Sequence, residues 1–252
     1  MSPAEGETSA HLPLLFSARA EVFQELVEAV ERGSELRMAA HYELTGIKAN
    51  NVLGVMPGNL EDGPESERQY VIIGAHFDGA GSNLAGLFNP SAHDNASGVA
   101  VLLECAARLQ RENISLGPTV IFVAFNGEEQ GLYGSRHLAT NLPYPKDATK
   151  MINIDSVGAK TGEYLLIETC SGVESSMQSA LLAHSHELGI PARAGQSNGS
   201  DHRSFADEGI MAINLIQPDF SVMHRPTDTV DVLSHDKLEQ VVTLILAYLR
   251  QL

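Results

Sequence analysis

Tryptophan is absent from the 252 residues, so fluorescence has no indole to report on. Cysteine occurs only twice. Two thiols cannot make a disulfide scaffold. Neither Cys105 nor Cys170 stands in a Cys-x-x-Cys or Cys-x-His setting, so both are expected as buried or free thiols and not as metal ligands. Basic residues are scarce: 16 Lys and Arg face 32 Asp and Glu, a formal net charge of −16. A surface of that sign repels phosphate backbones and anionic lipid, which argues against nucleic acid and membrane as partners. No apolar run approaches the roughly 18–20 residues that span a bilayer. The opening MSPAEGETSAHLPLLFS has neither a basic start nor a long apolar stretch. The expectation is a soluble protein with no visible signal peptide, which leaves the compartment open.

What is present reads as one α/β domain with a real core, since 43% of residues are hydrophobic. Ser17 opens an amphipathic helix with Val22, Phe23, Leu26, Val27 and Val30 at helical spacing, and Gly33 ends it. Residues 36–46 and 50–56 read as strands, with a hairpin about Thr45-Gly46. Tyr70-Val-Ile-Ile-Gly-Ala is a short apolar run, as expected of a strand buried on both faces. Beyond it, elements alternate. Strands are expected at Thr119–Phe125, Met151–Ile154, Tyr164–Glu168 and Ala212–Ile216. Helices are expected at Ala96–Arg111, Leu132–Leu142, Val173–Leu188 and Lys237–Leu249. This alternation implies a mostly parallel sheet covered on both faces, with ligands beyond the carboxyl ends of its strands.

The chemically interesting side chains follow those strands. His76-Phe-Asp78 comes after Ile73-Gly-Ala, Glu128-Glu129 after Phe122-Val-Ala-Phe-Asn-Gly, and Asp155 after Ile152-Asn-Ile. His224 lies in the loop after the strand at Ile213, and Asp94 directly precedes the helix near Ala96. Each has an ordinary explanation alone. A Glu-Glu pair is usually a solvated surface, Asp-Asn before Ala-Ser-Gly can cap a helix, and an aspartate at a strand end can serve a turn. Together they matter more, because strand ends of one parallel sheet share an edge. Carboxylates at the ends of buried elements need partners or a metal.

Six blocks occur in order: Gly74-Ala-His76-Phe-Asp78, Asp94-Asn-Ala-Ser-Gly98, Glu128-Glu-Gln-Gly-Leu-Tyr-Gly-Ser135, Asn153-Ile-Asp155, Ser200-Asp-His202 and His224-Arg-Pro-Thr-Asp228. Over about residues 48–250 the chain resembles metallopeptidase family 28, which holds bacterial leucyl aminopeptidases and relatives of glutamate carboxypeptidase. The resemblance implies a three-layer sandwich of the zinc-dependent exopeptidase (phosphorylase/hydrolase-like) fold, with two Zn²⁺ per chain. It implies that His76 and Asp155 hold one zinc, Glu129 and His224 the other, and Asp94 bridges them. Glu128 becomes the general base, Asp78 the partner of His76, and Asp228 a similar partner of His224. His93 precedes Asp94 where relatives often carry Asp or Asn, and is at most a neighbour of the site.

Imidazole and carboxylate are suitable zinc donors, and a carboxylate beside a metal-bound water can act as base. Peptides are the implied substrates, and an aminopeptidase is the first reading. The alternatives are a carboxypeptidase or dipeptidase of the same family, with Arg193 or Arg203 holding the substrate carboxylate, a glutaminyl cyclase-like acyltransferase, and a receptor-like module without metal. The complete ligand set argues against the last two. Ser156 stands where several relatives carry Met, which makes it and Met223 candidates for the substrate pocket wall. The expected domain is a single catalytic one over 1–252, with residues 1–35 resembling the tail of an inserted lid domain. A chain that starts inside such an insert leaves apolar sheet for another subunit to cover, as in a homo-oligomer.

Overall fold

The computed structural model describes residues 20–35, 46–82, 86–217 and 220–252. The chain divides into two compact units, Met1–Ile47 and Lys48–Leu252. In the first, α1 (Ala20–Glu31) is amphipathic as its spacing predicts, and Gly33 closes it in the left-handed conformation at φ 73°. The strand expected over 36–46 falls almost wholly outside the described residues.

The second unit is built on a seven-stranded sheet in the order β1-β3-β2-β4-β7-β5-β6. Its strands are β1 (Val52–Met56), β2 (Tyr70–His76), β3 (Thr119–Phe125), β4 (Thr149–Ile154), β5 (Leu165–Thr169), β6 (Ala192–Gln196) and β7 (Met211–Ile216). The four central strands β3, β2, β4 and β7 are parallel. β1 runs antiparallel to β3, and β5, which pairs in parallel with β6, runs antiparallel to β7.

Strand parity divides the core. Val71, Ile73 and Ala75 of β2, Val120 and Phe122 of β3, Ile152 and Ile154 of β4, and Ile213 and Leu215 of β7 face one way. They meet α2 (Ser97–Arg111), α4 (Ser176–Glu187) and α6 (His235–Gln251). Tyr70, Ile72, Ile121, Val123, Phe125, Met151 and Ala212 face the other way, toward α3 (Tyr133–Thr140) and α5 (His202–Ala206). The expected three layers are therefore present. Both cysteines are buried and free. At the open side of the sheet, Val52, Leu53 and Val55 of β1 remain exposed. Among the described residues no helix is long and apolar enough to cross a membrane.

Two elements go beyond the sequence reading. β6 is Ala-Arg-Ala-Gly-Gln, an edge strand without apolar alternation. α5 spans one and a half turns, too short to display a period.

Candidate metal centre

The carboxyl ends of β2, β3, β4 and β7 lie on one edge, and the residues singled out by sequence gather there. His76 ends β2, and its ring is 1% exposed. Its Nε2 lies 3.3 Å from Asp94 Oδ1 and 3.5 Å from Asp155 Oδ1. On the other side, His224 Nε2 lies 3.0 Å from Asp94 Oδ2 and 3.1 Å from Glu129 Oε2. Asp94 thus turns one oxygen to each histidine. Donor atoms of His76, Glu128 and Asp155 fall within 4.8 Å of one another, and so do those of Asp94, Glu129 and His224. Glu128, expected as a base, lies within reach of the first cluster.

The electrostatics describe a place short of positive charge. Burial opposes charging His76, yet Asp155, Asp78 and Asp94 outweigh it and hold its pKa well above the ordinary value. Burial pushes Glu128 up to about 8, and the charges of Asp155, Asp201 and Glu129 add to the effect. Burial and Asp94 raise Glu129 as well. Buried Glu129 Oε1 has no hydrogen-bond partner. A cation bound among them would satisfy all of these at once. The donors are imidazole and carboxylate with no thiol, which fits zinc.

Around the ligands lies a set of braces. His76 Nδ1 donates to the main-chain carbonyl of Asp78 at 3.1 Å, with the Asp78 carboxylate farther off at 3.6 Å. This leaves Nε2 to face the carboxylates. The Asp78 oxygens instead accept the N–H groups of Glu128 and Glu129, each at 3.2 Å. Asp78 therefore orients His76 mainly through its backbone and supports the glutamates through its side chain. Asn95 donates to Ile154 O and accepts from Gly98 N and Ser156 N, tying the Asp94 segment to the end of β4. A Cβ on Gly98 would overlap both the Asn95 amide and the Ile154 carbonyl, which explains the glycine.

Asp155 accepts from Ser200 Oγ at 2.6 Å and from Ser156 Oγ at 3.0 Å. Behind it runs a buried polar ladder. Asn153 donates to Ser200 Oγ (2.7 Å) and Asn214 Oδ1 (3.0 Å), and Asn214 donates to Glu168 Oε2 (3.1 Å). Burial, with Asp155 adding, raises Glu168. Burial, joined by the charges of Asp155 and Asp78, pushes Asp201 up to about 7 against the opposing Ser135 and His76.

Two expectations need correction. Ser156 cannot wall a substrate pocket, because it is 0% exposed and its hydroxyl is bound to Asp155. Asp228 is bound to the backbone of His93 and Asp94, a different role from that of a partner to the His224 ring. Met223 is half-buried on the His224 loop. His93 is fully buried, with neither ring nitrogen partnered. Ser200, Asn153, Asn214 and Glu168 had no assigned role from sequence. The available signal was an asparagine in each of two apolar strands, a residue type that enters a core only with partners.

Beside Asp78 lies a cavity of about 330 Å³ lined by Phe77, Phe88, Asn89, Pro90 and Val99 among others.

The model of peptidase family M28 matches residues 51–249. Aminopeptidase YwaD of Bacillus subtilis is 27% identical over 215 residues, covering 81% of this chain and 44% of that protein. The structure of an aminopeptidase from Aneurinibacillus sp. strain AM-1 superposes with a TM-score of 0.69 at 32% identity, over 80% of this chain and 47% of the other. That of a zinc aminopeptidase from Bacillus subtilis gives 0.69 at 27%, over 80% and 49%. The chain spans about half the length of these relatives. With a family match across most of its length and the motif residues gathered on one sheet edge, the chain belongs to peptidase family M28.

Proposed function

We propose that Lys48–Leu252 is the catalytic unit of a di-zinc aminopeptidase that removes N-terminal residues from peptides. The observation that carries this reading is the placement of Asp94, whose two oxygens face two different histidines. His76 and Asp155 would hold one zinc, Glu129 and His224 the other, and Asp94 would serve both. Zinc held there would supply Lewis acidity toward a bound water and the scissile carbonyl. Glu128 takes the proton of the attacking water and returns it to the leaving amine. Its place beside His76 and Asp155, the first cluster, suits that task. Asp78 fixes the backbone from which Glu128 projects.

The aminopeptidase reading is preferred to a carboxypeptidase because both candidate carboxylate-binding arginines are engaged. Arg203 pairs with Asp207 at 2.5 Å, and Arg193 stacks over Tyr164 at 4.0 Å on the far edge of the sheet. The names of the relatives support the same choice. Phe77 and Phe88 at the neighbouring cavity offer apolar surface to a peptide side chain.

The test is a panel of amino-acid p-nitroanilides with N-acetylated and C-terminally amidated peptides, run beside elemental analysis. An aminopeptidase cleaves the amidated peptides and spares the acetylated ones. The reverse pattern, or fewer than two zinc ions after zinc is resupplied, overturns the proposal.

A further inference from the structure

Asp228 sits four residues beyond His224, on the same loop, and is 1% exposed. Its carboxylate accepts two successive main-chain N–H groups, His93 at 2.6 Å on Oδ1 and Asp94 at 3.1 Å on Oδ2. Its own carbonyl accepts the N–H of Ala92 at 3.2 Å, and its N–H donates to Arg225 O at 3.0 Å, closing the turn after His224. Three consecutive amides leading into Asp94 therefore end on one residue of the His224 loop.

Asp78 repeats the device from the other side. It lies two residues past His76 and accepts the N–H groups of Glu128 and Glu129. Each histidine loop thus carries an aspartate that grips the backbone of a ligand serving the opposite histidine. The loop of His76 holds Glu129, a neighbour of His224, and the loop of His224 holds Asp94, which faces both.

We propose that Asp228 is a positioning residue for the metal pair: through the backbone of Asp94 it sets where the shared carboxylate stands and locks the His224 loop to it. The inference rests on the di-zinc reading above. Bonds from N–H to an ionised carboxylate are roughly twice as strong as neutral ones. An asparagine has one acceptor oxygen for the two amides and turns an NH₂ group toward the other. A glutamate keeps the charge but displaces it by a methylene. Neither change touches a proposed ligand side chain.

The experiment measures zinc binding to the chelator-stripped full chain, for the parent, Asp228→Asn and Asp228→Glu. Melting of the metal-free forms and the Co²⁺ absorption spectrum are recorded alongside. Loss of such outer support weakens metal binding on the order of 10- to 100-fold. Both variants should show that loss for the zinc assigned to Glu129 and His224, with an altered Co²⁺ spectrum. Asp228→Asn should add little further loss in an Asp94→Asn background. Parental zinc affinities in the folded variants, whatever their melting temperatures, overturn the proposal. So does full additivity with Asp94→Asn. If Asp228→Asn does not fold, Asp228→Glu decides. A parent that binds fewer than two zinc ions refutes the di-zinc reading itself, a result separable from parental affinity in the variants.

Discussion

The two halves of the metal centre differ in how they are supported. His76 ends a central strand hydrogen-bonded on both sides, and its side chain is 1% exposed. The side chain of His224 is 53% exposed and stands on a loop with φ 56°, a left-handed conformation that costs a non-glycine residue on the order of 1–3 kcal/mol. The first half inherits its geometry from the sheet. The second depends on braces between loops, chiefly Asp78 and Asp228. In a centre of this kind, the buried ligand sets position and the exposed ligand can adjust, while Asp94 keeps the two in register.

The largest effect expected is on the reaction itself. Glu128→Gln keeps size but cannot take a proton, and its kcat should fall about 10²- to 10⁴-fold with both zinc ions retained. Glu129→Gln should lose zinc from the exposed half. Zinc loss from Glu128→Gln would move Glu128 from base to ligand of the buried half, which its position in the first cluster allows.

Next comes the ligand contrast. His224→Ala should release one zinc while the metal-free protein melts near the parental temperature, because the ring is half exposed. Asp155→Asn should lower both zinc content and metal-free stability, since it leaves His76 and Ser200 facing a neutral amide. Equal melting temperatures for the two variants would dissolve the distinction between sheet-borne and loop-borne halves. Asp94→Asn should cost zinc in both halves, and His93→Ala should spare both. Metal analysis of the pair checks this.

A smaller effect concerns pH. Glu128 and Asp201 are raised to about 8 and about 7, so between pH 5 and 8 the metal-free folded chain holds protons that the unfolded chain has released. Stability from these groups and from His76, also raised, is present at low pH and is lost as pH rises, outweighing the opposite contribution of His202, which burial lowers. The chelated protein should melt lower at pH 8 than at pH 5.5, at about 2–4 °C for each kcal/mol lost. Zinc should narrow the difference by replacing the protons. A melting temperature that rises with pH in the chelated protein would contradict this account. The smallest effect is expected from Ser156→Ala, which should leave the ratio of leucine to alanine p-nitroanilide cleavage unchanged, because Ser156 does not reach solvent.

Much of this was legible in the sequence, for a physical reason. A buried parallel strand is a continuous apolar run, so β2, β3, β4 and β7 announce themselves, and the polar residue that ends each run marks the working edge. The five proposed ligands were found by that logic together with the family resemblance. Periodicity carries no strand direction, so the reversals at β1 and β5 were not readable. Hydrogen bonds to main-chain amides leave no residue signature, which hid the true partner of Asp228. Sequence does not place Ser156, whose hydroxyl is bound to Asp155 and whose N–H is bound to Asn95, out of reach of solvent.

The ladder of Asn153, Asn214 and Glu168 has a consequence for how the sheet is assembled. These three residues are direct register partners across β4, β7 and β5, and β7–β5 is a junction where chain direction reverses. A slip of one residue in β7 would turn Asn214 into the apolar packing on the α4 side of the sheet and leave Asn153 and Glu168 without it. The mispaired sheet would carry stranded polar groups on both faces. The ladder therefore works as a key cut for one alignment, and only the chain that fits it delivers Asp155 to its place at the edge.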